Sequence, residues 1–216
     1  MTAGRVILWR HGRTDHNRSA RWQGQIDVPL DETGLRQAFA AAAVLAPALA
    51  AAREVGEPVR LVCSDLSRAR DTAAALERAT GLSATPDERL REIHAGAWQG
   101  LDRQEIVAAG MGAMLEAWGR GEDVAVGGGE RRSEAGARAA TTVLEHAGRM
   151  DGGVLVVAAH GGVLRGAALT LMGLPPGEWE LLGGLANCAW GELGPARSGS
   201  AWRLLSWNVT AGERAG

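Results

Sequence analysis

Three short apolar runs along the chain, each containing β-branched residues, have the pattern of strands buried inside a sheet. They cover residues 6–9, 60–63 and 154–158. Strands of a parallel sheet are covered by helices on both faces, so they are continuously apolar instead of alternating. Segments with helical periodicity separate and follow the three runs. The pattern therefore predicts an α/β protein with a mainly parallel sheet sandwiched by helices.

The four predicted helices have apolar residues at intervals of three and four positions. The first starts at Asp31, a residue type that caps helix N-termini, and it is expected to bend or end at Pro47. The other three run from just after Asp65 to near Gly81, from about residue 130 to 147, and from Gly162 to about residue 173.

Two further segments complete the predicted single domain of residues 1–216. Residues 99–129 contain an apolar helical face that includes Leu115 and Trp118, and they are predicted to form a helical insertion over the carboxyl ends of the strands. Residues 202–208 alternate between two faces, which predicts late strands, some of them antiparallel at an edge of the sheet. Because no low-complexity linker interrupts the chain, a second domain is not expected.

The charged residues exclude several classes of enzyme. Lys and Arg total 23, Asp and Glu total 25, and every cation is Arg because the sequence contains no Lys. Enzymes that need a Walker lysine, a kinase-type lysine or a Schiff-base lysine are thereby excluded. The net charge of −2 predicts no general attraction to nucleic acid or to an anionic membrane, so neither is expected as a partner.

The sequence also predicts where the protein resides. The apolar run near the N-terminus is too short for a signal peptide. The Ala-rich stretch 38–52, interrupted by Pro47, is expected to fall short of a membrane span. Cys63 and Cys188 are isolated, as is typical of reduced, buried thiols. A cytoplasmic protein is therefore expected.

Polar residues suited to binding an oxyanion follow each of the three predicted strands. Residues 10–14 read Arg-His-Gly-Arg-Thr, residues 64–68 read Ser-Asp-Leu-Ser-Arg, and residues 160–162 read His-Gly-Gly. The carboxyl ends of parallel strands form the ligand crevice of an open sheet, so the three segments are expected to converge. Gly12 and Gly161 are expected to let backbone amides of the following helices approach an anion closely.

This set of side chains fits the transfer of a phosphoryl group. Such transfer spreads negative charge over three oxygens, which the guanidinium groups of Arg10 and Arg68 can clamp. One of the two histidines, His11 or His160, can attack phosphorus if it is neutral, and the other, if protonated, would complete the clamp. Glu92 is the carboxyl best placed by sequence context to protonate the leaving oxygen.

The sequence leaves other assignments of the carboxyl and histidine residues open. Glu88, Glu105 and Glu130 compete with Glu92 for the role of the acid, and the neighbouring Arg91 could simply form an ion pair with Glu92. A zinc site made of the histidines at positions 11, 16, 94 and 160 is disfavoured. These residues lack a compact ligand motif, and two guanidinium groups would repel the cation. No metal and no cofactor is predicted.

The strand-end residues belong to a longer ordered series of motifs. The series consists of residues 8–14 with Asn17, residues 23–30, residues 64–69 with Thr72 and Ala73, residues 90–100, residues 128–130 and residues 160–162. It resembles the signature of the histidine phosphatase superfamily, the phosphoglycerate-mutase-like proteins, over nearly the whole chain and in the same order. A short Arg-His-Gly triplet alone would carry little weight, whereas the ordered set is specific.

The resemblance implies a role for each matching residue. His11 would be the nucleophile that becomes phosphorylated, and Glu92 would be the proton donor, with no metal involved. Contacts to the phosphate are implied for Arg10, Arg68, His160 and Asn17, and contacts to the phosphate or the substrate rim for Gln23 and Gly24. The sequence departs from the family at Arg131, where members commonly have Ser, so a hydroxyl contact is not implied there.

Three functions are compatible with such a site, and hydrolysis is favoured. Mutases of the family tend to carry an Arg-aromatic-Tyr-Gly stretch beyond the acid, whereas residues 92–100 resemble the phosphatase branch. A phosphate-binding scaffold would not need both His11 and Glu92. The stretches 22–27, 91–101, 182–187 and 202–208 resemble the glucosyl-3-phosphoglycerate phosphatases. A small phosphorylated metabolite is the expected partner, Arg13, Arg21 and Arg91 are expected to bind its remainder, and a homodimer fits the family.

Overall fold

The computed structural model describes residues 2–197 and 202–212, with the backbone alone for Pro176 and Gly177. Six strands form one sheet in the order β3-β2-β4-β1-β5-β6. Their bounds are Arg5–Arg10 (β1), Val59–Cys63 (β2), Ala84–Pro86 (β3), Val154–Ala159 (β4), Trp190–Pro195 (β5) and Trp202–Val209 (β6).

The direction of the strands brings the predicted chemistry to one edge of the sheet. Strands β1, β2, β3 and β4 are parallel, and β4 lies between β2 and β1. Strand β5 is antiparallel to β1, and β6 is antiparallel to β5 at the edge. The three strands predicted from apolar runs are therefore confirmed as the centre of the sheet, and the late antiparallel strands are confirmed at its edge.

Seven helices surround the sheet in the described part of the chain. Their bounds are Asp15–Arg18 (α1), Glu32–Glu54 (α2), Ser67–Thr80 (α3), Arg103–Ala108 (α4), Gly112–Gly119 (α5), Arg132–Gly148 (α6) and Gly161–Leu171 (α7). Four short 3-10 segments cover Glu88–Leu90, Gly96–Trp98, Val126–Gly128 and Pro176–Leu181. Helices α4 and α5 form the predicted insertion, and its Trp118 reaches the same cavity as residues at the end of β1.

The sheet divides the hydrophobic core into two layers. Along β1, Val6 and Leu8 face one layer, and Ile7 and Trp9 face the other. The first layer also contains the buried faces of α6 and α7, and the second contains those of α2 and α3. Residues two apart in a strand share a face, so a strand that is apolar at every position packs helices on both sides. The predicted α/β sandwich is confirmed.

Helix α2 differs from the prediction at Pro47. Its N-cap is Asp31 as expected, with the carboxylate accepting a hydrogen bond from the Gly34 N–H, but the helix runs through Pro47 to Glu54. A proline inside a helix removes one backbone hydrogen bond and costs about 3 kcal/mol. Leu45 and Leu49, on either side of the proline, are both buried against the sheet. Their burial favours the continuous helix and offsets that cost.

The Ala-rich stretch 38–52 is predicted to fall short of a membrane span because Pro47 interrupts it. Helix α2 continues through Pro47, so this reason is wrong. The helix is long and apolar enough for a span by length and composition. In this fold, however, its buried positions pack into the core layer that contains α3 and the sheet. A core helix of a globular protein passes the same test.

Strand β3 and the short 3-10 segments were not predicted. Strand β3 has only three residues and ends at Pro86, so it contains no apolar run that would indicate a strand. Proline cannot donate a ladder hydrogen bond, so within a sheet it is tolerated mainly at an edge, which is where β3 lies. The 3-10 segment Pro176–Leu181 depends on tertiary packing, because its Trp179 is buried in the core layer of α6 and α7.

Candidate active site

A cavity of about 340 Å³ lies at the carboxyl ends of the central strands. Arg10 and His11 come from the end of β1, Arg68 from the first turn of α3 after β2, and Gly162 from the start of α7 after β4. Its other lining residues are Asn17, Ala20, Arg21, Trp22, Gln23, Gly24, Glu92, Ile93, Ala95 and Trp118. The convergence of the three predicted strand ends is confirmed.

His11 has one ring nitrogen fixed and the other available. Its Nδ1 lies 2.7 Å from the carbonyl oxygen of Gly12, to which only a protonated Nδ1 can donate. In the neutral ring, Nε2 is then the unprotonated nitrogen. Burial, followed by the positive charges of Arg10 and Arg68, holds the pKa of His11 well below 6.5. The side chain is therefore neutral at neutral pH, the state that a nucleophile needs.

His160 lies behind the cavity wall and is fully buried, with its ring centroid 5.2 Å from that of His11. Its Nδ1 accepts a hydrogen bond from Arg68 Nε at 3.1 Å, and its Nε2 lies 2.9 Å from the hydroxyl of Ser64. Burial and the nearby Arg68 hold the pKa of His160 well below 6.5. A neutral ring is what accepts from Arg68, so the positive charge that clamps an anion comes from Arg10 and Arg68 and not from His160.

Among the described residues, the two guanidinium groups predicted to bind phosphate form no ion pair with a carboxylate. Arg10 donates to the carbonyl of Leu185, and Arg68 donates to the carbonyls of Gly24 and Ile26, each at 2.8 Å. In the part of the chain that the structure describes, no carboxylate oxygen lies within 4.0 Å of either group. Burial lowers the pKa of Arg68 to about 10, so the group stays charged at neutral pH. Buried charge without a counter-ion is stabilised by an anionic ligand.

The carboxyl group of Glu92 is held at the N-terminus of α7. It accepts hydrogen bonds from the backbone N–H groups of Ile93, Gly162 and Val163, at 2.9, 3.0 and 2.8 Å. Among described residues, Glu92 is the carboxylate that lines the cavity. Of its competitors, Glu105 pairs with Arg21 and Glu130 pairs with Arg138, while Glu88 is not among the lining residues.

The sequence predicts that Gly12 and Gly161 let backbone amides of the following helices approach a bound anion. The first amides of α7 bind the Glu92 carboxyl group instead, so this prediction is corrected. The Gly12 N–H donates to the hydroxyl of Thr72 and is not available to an anion. Glycine is needed at position 12 for packing, because a Cβ there would lie 2.4 Å from the carbonyl oxygen of Gly34. At Gly161 a Cβ would lie 3.2 Å from Arg10 Nε, so glycine there leaves room for that guanidinium group.

Asn17 is oriented by a hydrogen-bond network behind the cavity. Its Oδ1 accepts from the Thr14 N–H at 3.2 Å and from Asn187 Nδ2 at 3.1 Å. Because the oxygen is occupied on that side, the NH₂ group of Asn17 is left to face the cavity, where it can donate to an anion. Asn187 also donates to the carbonyl of His11 at 3.3 Å. Gln23 lines the cavity as well, and its Oε1 lies 3.0 Å from the hydroxyl of Thr14.

The three arginines predicted to bind the rest of the substrate lie in different places. Arg21 lines the cavity and donates to both carboxylate oxygens of Glu105. Arg13 pairs with Asp31 at 2.8 Å and Arg91 forms a two-pronged pair with Asp65. Neither Arg13 nor Arg91 is among the residues that line the cavity. The structure therefore does not bring these two arginines to the cavity, and each pairs with a carboxylate outside it.

Of the four histidines considered for zinc, His11 and His160 are adjacent, but the four do not form one cluster. His94 is exposed, and its Nδ1 accepts a hydrogen bond from the Gly96 N–H. In residues 2–197 and 202–212, no three His, Cys, Asp or Glu side chains form a group that could hold a metal ion.

Several residues of the site were missed by sequence reasoning. Trp22 and Trp118 line the cavity, while Ser64, Thr72 and Asn187 orient residues that line or border it. Thr72 and Asn187 fall within stretches that resemble the family, but nothing in their local sequence indicates a contact with the site. The sequence places Trp118 on the apolar helical face of residues 99–129 but gives no sign that it contacts the cavity.

A neutral imidazole, two guanidinium groups that form no ion pair with a described residue, and a carboxyl group facing one cavity define an enzyme of phosphoryl transfer. The comparisons agree, since a model of the histidine phosphatase superfamily (branch 1) matches residues 6–210. Glucosyl-3-phosphoglycerate phosphatase of Mycobacterium tuberculosis is 40% identical, covering 98% of this chain and 97% of that protein. The chain belongs to the histidine phosphatase superfamily, and it is a phosphatase.

Two further relatives support the same family and enzyme class. Glucosyl-3-phosphoglycerate phosphatase of Mycolicibacterium vanbaalenii is 38% identical over 98% of this chain and 97% of that protein. The structure of mycobacterial glucosyl-3-phosphoglycerate phosphatase with VO₃ has a TM-score of 0.83 at 39% identity, covering 96% of this chain and 100% of that one. The predicted family and enzyme class are confirmed, and the mutase and scaffold alternatives are not favoured.

Proposed function

We propose that the protein hydrolyses glucosyl-3-phosphoglycerate, without a metal ion, through a phosphohistidine formed on His11. The observation that carries this proposal is the neutral His11 ring beside the guanidinium groups of Arg10 and Arg68, which form no ion pair with a described carboxylate. The substrate is suggested by the names of the relatives that match nearly the full chain at 38–40% identity. Arg21, at the cavity wall, would meet the carboxylate of the glycerate.

In the first step, Nε2 of His11 attacks phosphorus and the bond from phosphorus to the glycerate oxygen breaks. The protonated carboxyl group of Glu92 gives its proton to that oxygen, so the alcohol leaves neutral. Nδ1 keeps its proton and its hydrogen bond to Gly12, which stabilises the phosphorylated ring. Arg10, Arg68 and the NH₂ group of Asn17 would balance the charge on the three equatorial oxygens.

In the second step, a water molecule replaces the departed alcohol. The carboxylate of Glu92 removes a proton from the water as its oxygen attacks phosphorus, and the phosphorus–nitrogen bond breaks. Inorganic phosphate leaves, His11 returns to its neutral state and Glu92 is protonated again. Water and ester are consumed in equal amounts, and no redox change or metal-bound intermediate is required.

Rapid-quench labelling tests the covalent step. The wild-type protein, mixed with substrate carrying labelled phosphate, should give an acid-labile, alkali-stable adduct within one turnover, and His11→Ala should give none. A His11→Ala variant that turns over normally would refute the phosphohistidine. Addition of 3-phosphoglycerate as an acceptor separates hydrolysis from mutase activity, because a mutase would return an isomeric phosphate.

A second measurement tests the metal requirement. Excess chelator should leave the rate of hydrolysis unchanged, because positive side chains supply the charge that a metal would otherwise provide. Loss of activity that zinc restores would contradict the assignment of the histidines.

A further inference from the structure

The cavity has two chemically different sides. Arg10, His11 and Arg68, which follow the ends of the strands, are charged or polar. Trp22, between α1 and α2, and Trp118, at the end of α5, supply aromatic surface from outside the sheet. A phosphoryl group interacts with the first side alone, so the tryptophan side must serve the remainder of the ester.

The Trp118 ring is held in place from behind. The guanidinium carbon of Arg132 lies 3.4 Å from the centre of the Trp118 ring and 4.7 Å from that of Trp179. Arg132 Nη2 also donates to the backbone carbonyl of Trp118 at 2.9 Å. A cation between two aromatic rings is attracted to both faces. Arg132 therefore fixes the orientation of Trp118 without itself lining the cavity.

Trp22 packs against the same Trp118 ring. The centres of the Trp22 and Trp118 rings are 5.5 Å apart and their planes are inclined by 70°. Trp22 in turn packs edge-to-face against the buried Trp98, with centres 4.8 Å apart. Such edge-to-face pairs are a favoured aromatic arrangement. Because the wall is ordered before any ligand arrives, little conformational entropy is lost when a ring packs on it.

We infer that Trp118, supported by Arg132 and Trp22, is the surface on which the sugar ring of the substrate packs, and that it sets the preference for glycosylated phosphate esters. A pyranose carries C–H groups on its faces and hydroxyl groups at its rim. Its faces bury apolar area against an aromatic ring, while Arg21 and Gln23 lie in the same cavity to bind polar groups. This inference rests on the proposed function, because it assigns the sugar of that substrate.

The discriminating measurement is a ratio of two rates. For each variant, kcat/KM is measured with glucosyl-3-phosphoglycerate and with 3-phosphoglycerate, which has the same acid and phosphate but no sugar. Trp118→Leu should lower the ratio about tenfold through a higher KM for the glucosylated ester. Trp118→Phe, which keeps an aromatic face, should retain most of the ratio.

Trp207→Leu is the matched control. Trp207 is a partly buried tryptophan on β6 that donates to the carbonyl of Gly183 and does not line the cavity. Its replacement should leave the ratio unchanged even if stability falls. If Trp118→Leu does not fold, Trp118→Met takes its place in the comparison, since it keeps an unbranched apolar side chain without an aromatic face.

The outcomes separate this inference from the proposed function. A wild-type protein that shows no preference for the glucosylated ester contradicts the proposed function. A wild-type preference that survives in Trp118→Leu contradicts this inference alone. Equal losses on p-nitrophenyl phosphate and on the glucosylated ester would also overturn it, because the wall would then bind any apolar group instead of a sugar.

Discussion

At the scale of single residues, Asn187 and the Thr14 N–H together orient the amide that Asn17 presents to the cavity. Asn187→Asp replaces the NH₂ donor with an oxygen that repels the Asn17 oxygen, which favours a turned amide even though the hydrogen bond from the Thr14 N–H is then lost. The Asn17 oxygen would then face the phosphate. We expect kcat/KM to fall by about 10- to 100-fold and the inhibition constant of inorganic phosphate to rise, since a hydrogen bond to a charged group contributes about 1.5–3 kcal/mol.

Asn208→Asp is the control for this prediction. Asn208 Oδ1 accepts a hydrogen bond from the Ala186 N–H, next to Asn187 in the sequence, and an aspartate keeps that acceptor while adding the same negative charge. Activity close to wild type is expected for this variant. If both variants lose activity equally, the effect of Asn187→Asp comes from charge and not from the orientation of Asn17.

Glu92 gives a second prediction at the residue scale. Glu92→Gln should lower kcat/KM for an alkyl phosphate by about 10²- to 10⁴-fold, because the leaving alkoxide loses its proton donor. With p-nitrophenyl phosphate the leaving group needs no proton, so the first step should remain fast while hydrolysis of the phosphohistidine becomes slow. Stopped-flow absorbance should show a burst of nitrophenolate equal to the enzyme concentration. No burst would mean that Glu92 does not act as proton donor and base.

At the scale of secondary-structure elements, the start of α2 is packed directly against the loop after β1. A Cβ at Gly34 would lie 2.1 Å from the carbonyl oxygen of Arg13. Gly34→Ala should therefore separate α2 from the loop that carries His11. We expect a loss of about 1–3 kcal/mol in the free energy of unfolding, measured by urea denaturation, together with lower kcat.

Gly148→Ala, in helix α6, is the control for Gly34→Ala and is expected to raise stability instead of lowering it. Gly148 is the last residue of α6, and no heavy atom lies within 4 Å of the position that its Cβ would take. A gain of up to about 0.5–1 kcal/mol is expected, because alanine loses less conformational freedom on folding. Equal effects at both glycines would show that packing between α2 and the loop is not what requires Gly34.

The elements also show which local signals are decisive and which are not. Asp31 predicted the start of α2 correctly because an N-cap depends on a hydrogen bond within one turn. Gly81 predicted the end of α3 for the same reason, since it adopts the left-handed conformation there. Pro47 wrongly predicted that α2 bends or ends at that residue. The loss of one backbone hydrogen bond is local, whereas the burial of Leu45 and Leu49 depends on the sheet on which they pack.

At the scale of the whole molecule, the buried histidines make stability depend on pH. His11 and His160 have pKa values held well below 6.5 by burial, whereas in the unfolded chain they take up protons near 6.5. The unfolded state therefore binds more protons below about pH 6.5. The free energy of unfolding should fall as pH decreases through this value, by up to about 1.4 kcal/mol per pH unit for each histidine.

Urea denaturation between pH 7.5 and pH 5 measures this dependence. His160→Gln, which cannot be protonated in this range, should reduce the slope, and His94→Gln, at an exposed position, should leave it nearly unchanged. Asp87 does not interfere, because its hydrogen bonds with Arg89 lower its pKa to about 2 and its own contribution is lost below this range. A slope unaffected by His160→Gln would contradict the neutral, buried state of that ring.

Two assignments at this scale stay predictions. A homodimer and a cytoplasmic location follow from the resemblance and from the composition, and light scattering and fractionation would test them. The small phosphorylated metabolite is supported as a partner by relatives of nearly full-length coverage. The absence of nucleic-acid and membrane partners rests on the net charge alone.

The sequence by itself determined the central strands of the sheet, the family and four of the side chains at or beside the cavity. Apolar runs define buried strands, and the carboxyl ends of parallel strands meet at one edge, so Arg10, His11, Arg68 and His160 could be placed together without coordinates. The tertiary structure decided the rest. It assigned Arg13 and Arg91 to carboxylates and gave the α7 amides to Glu92. It also brought Trp118 to the cavity, because contacts between residues far apart in the chain leave no local pattern.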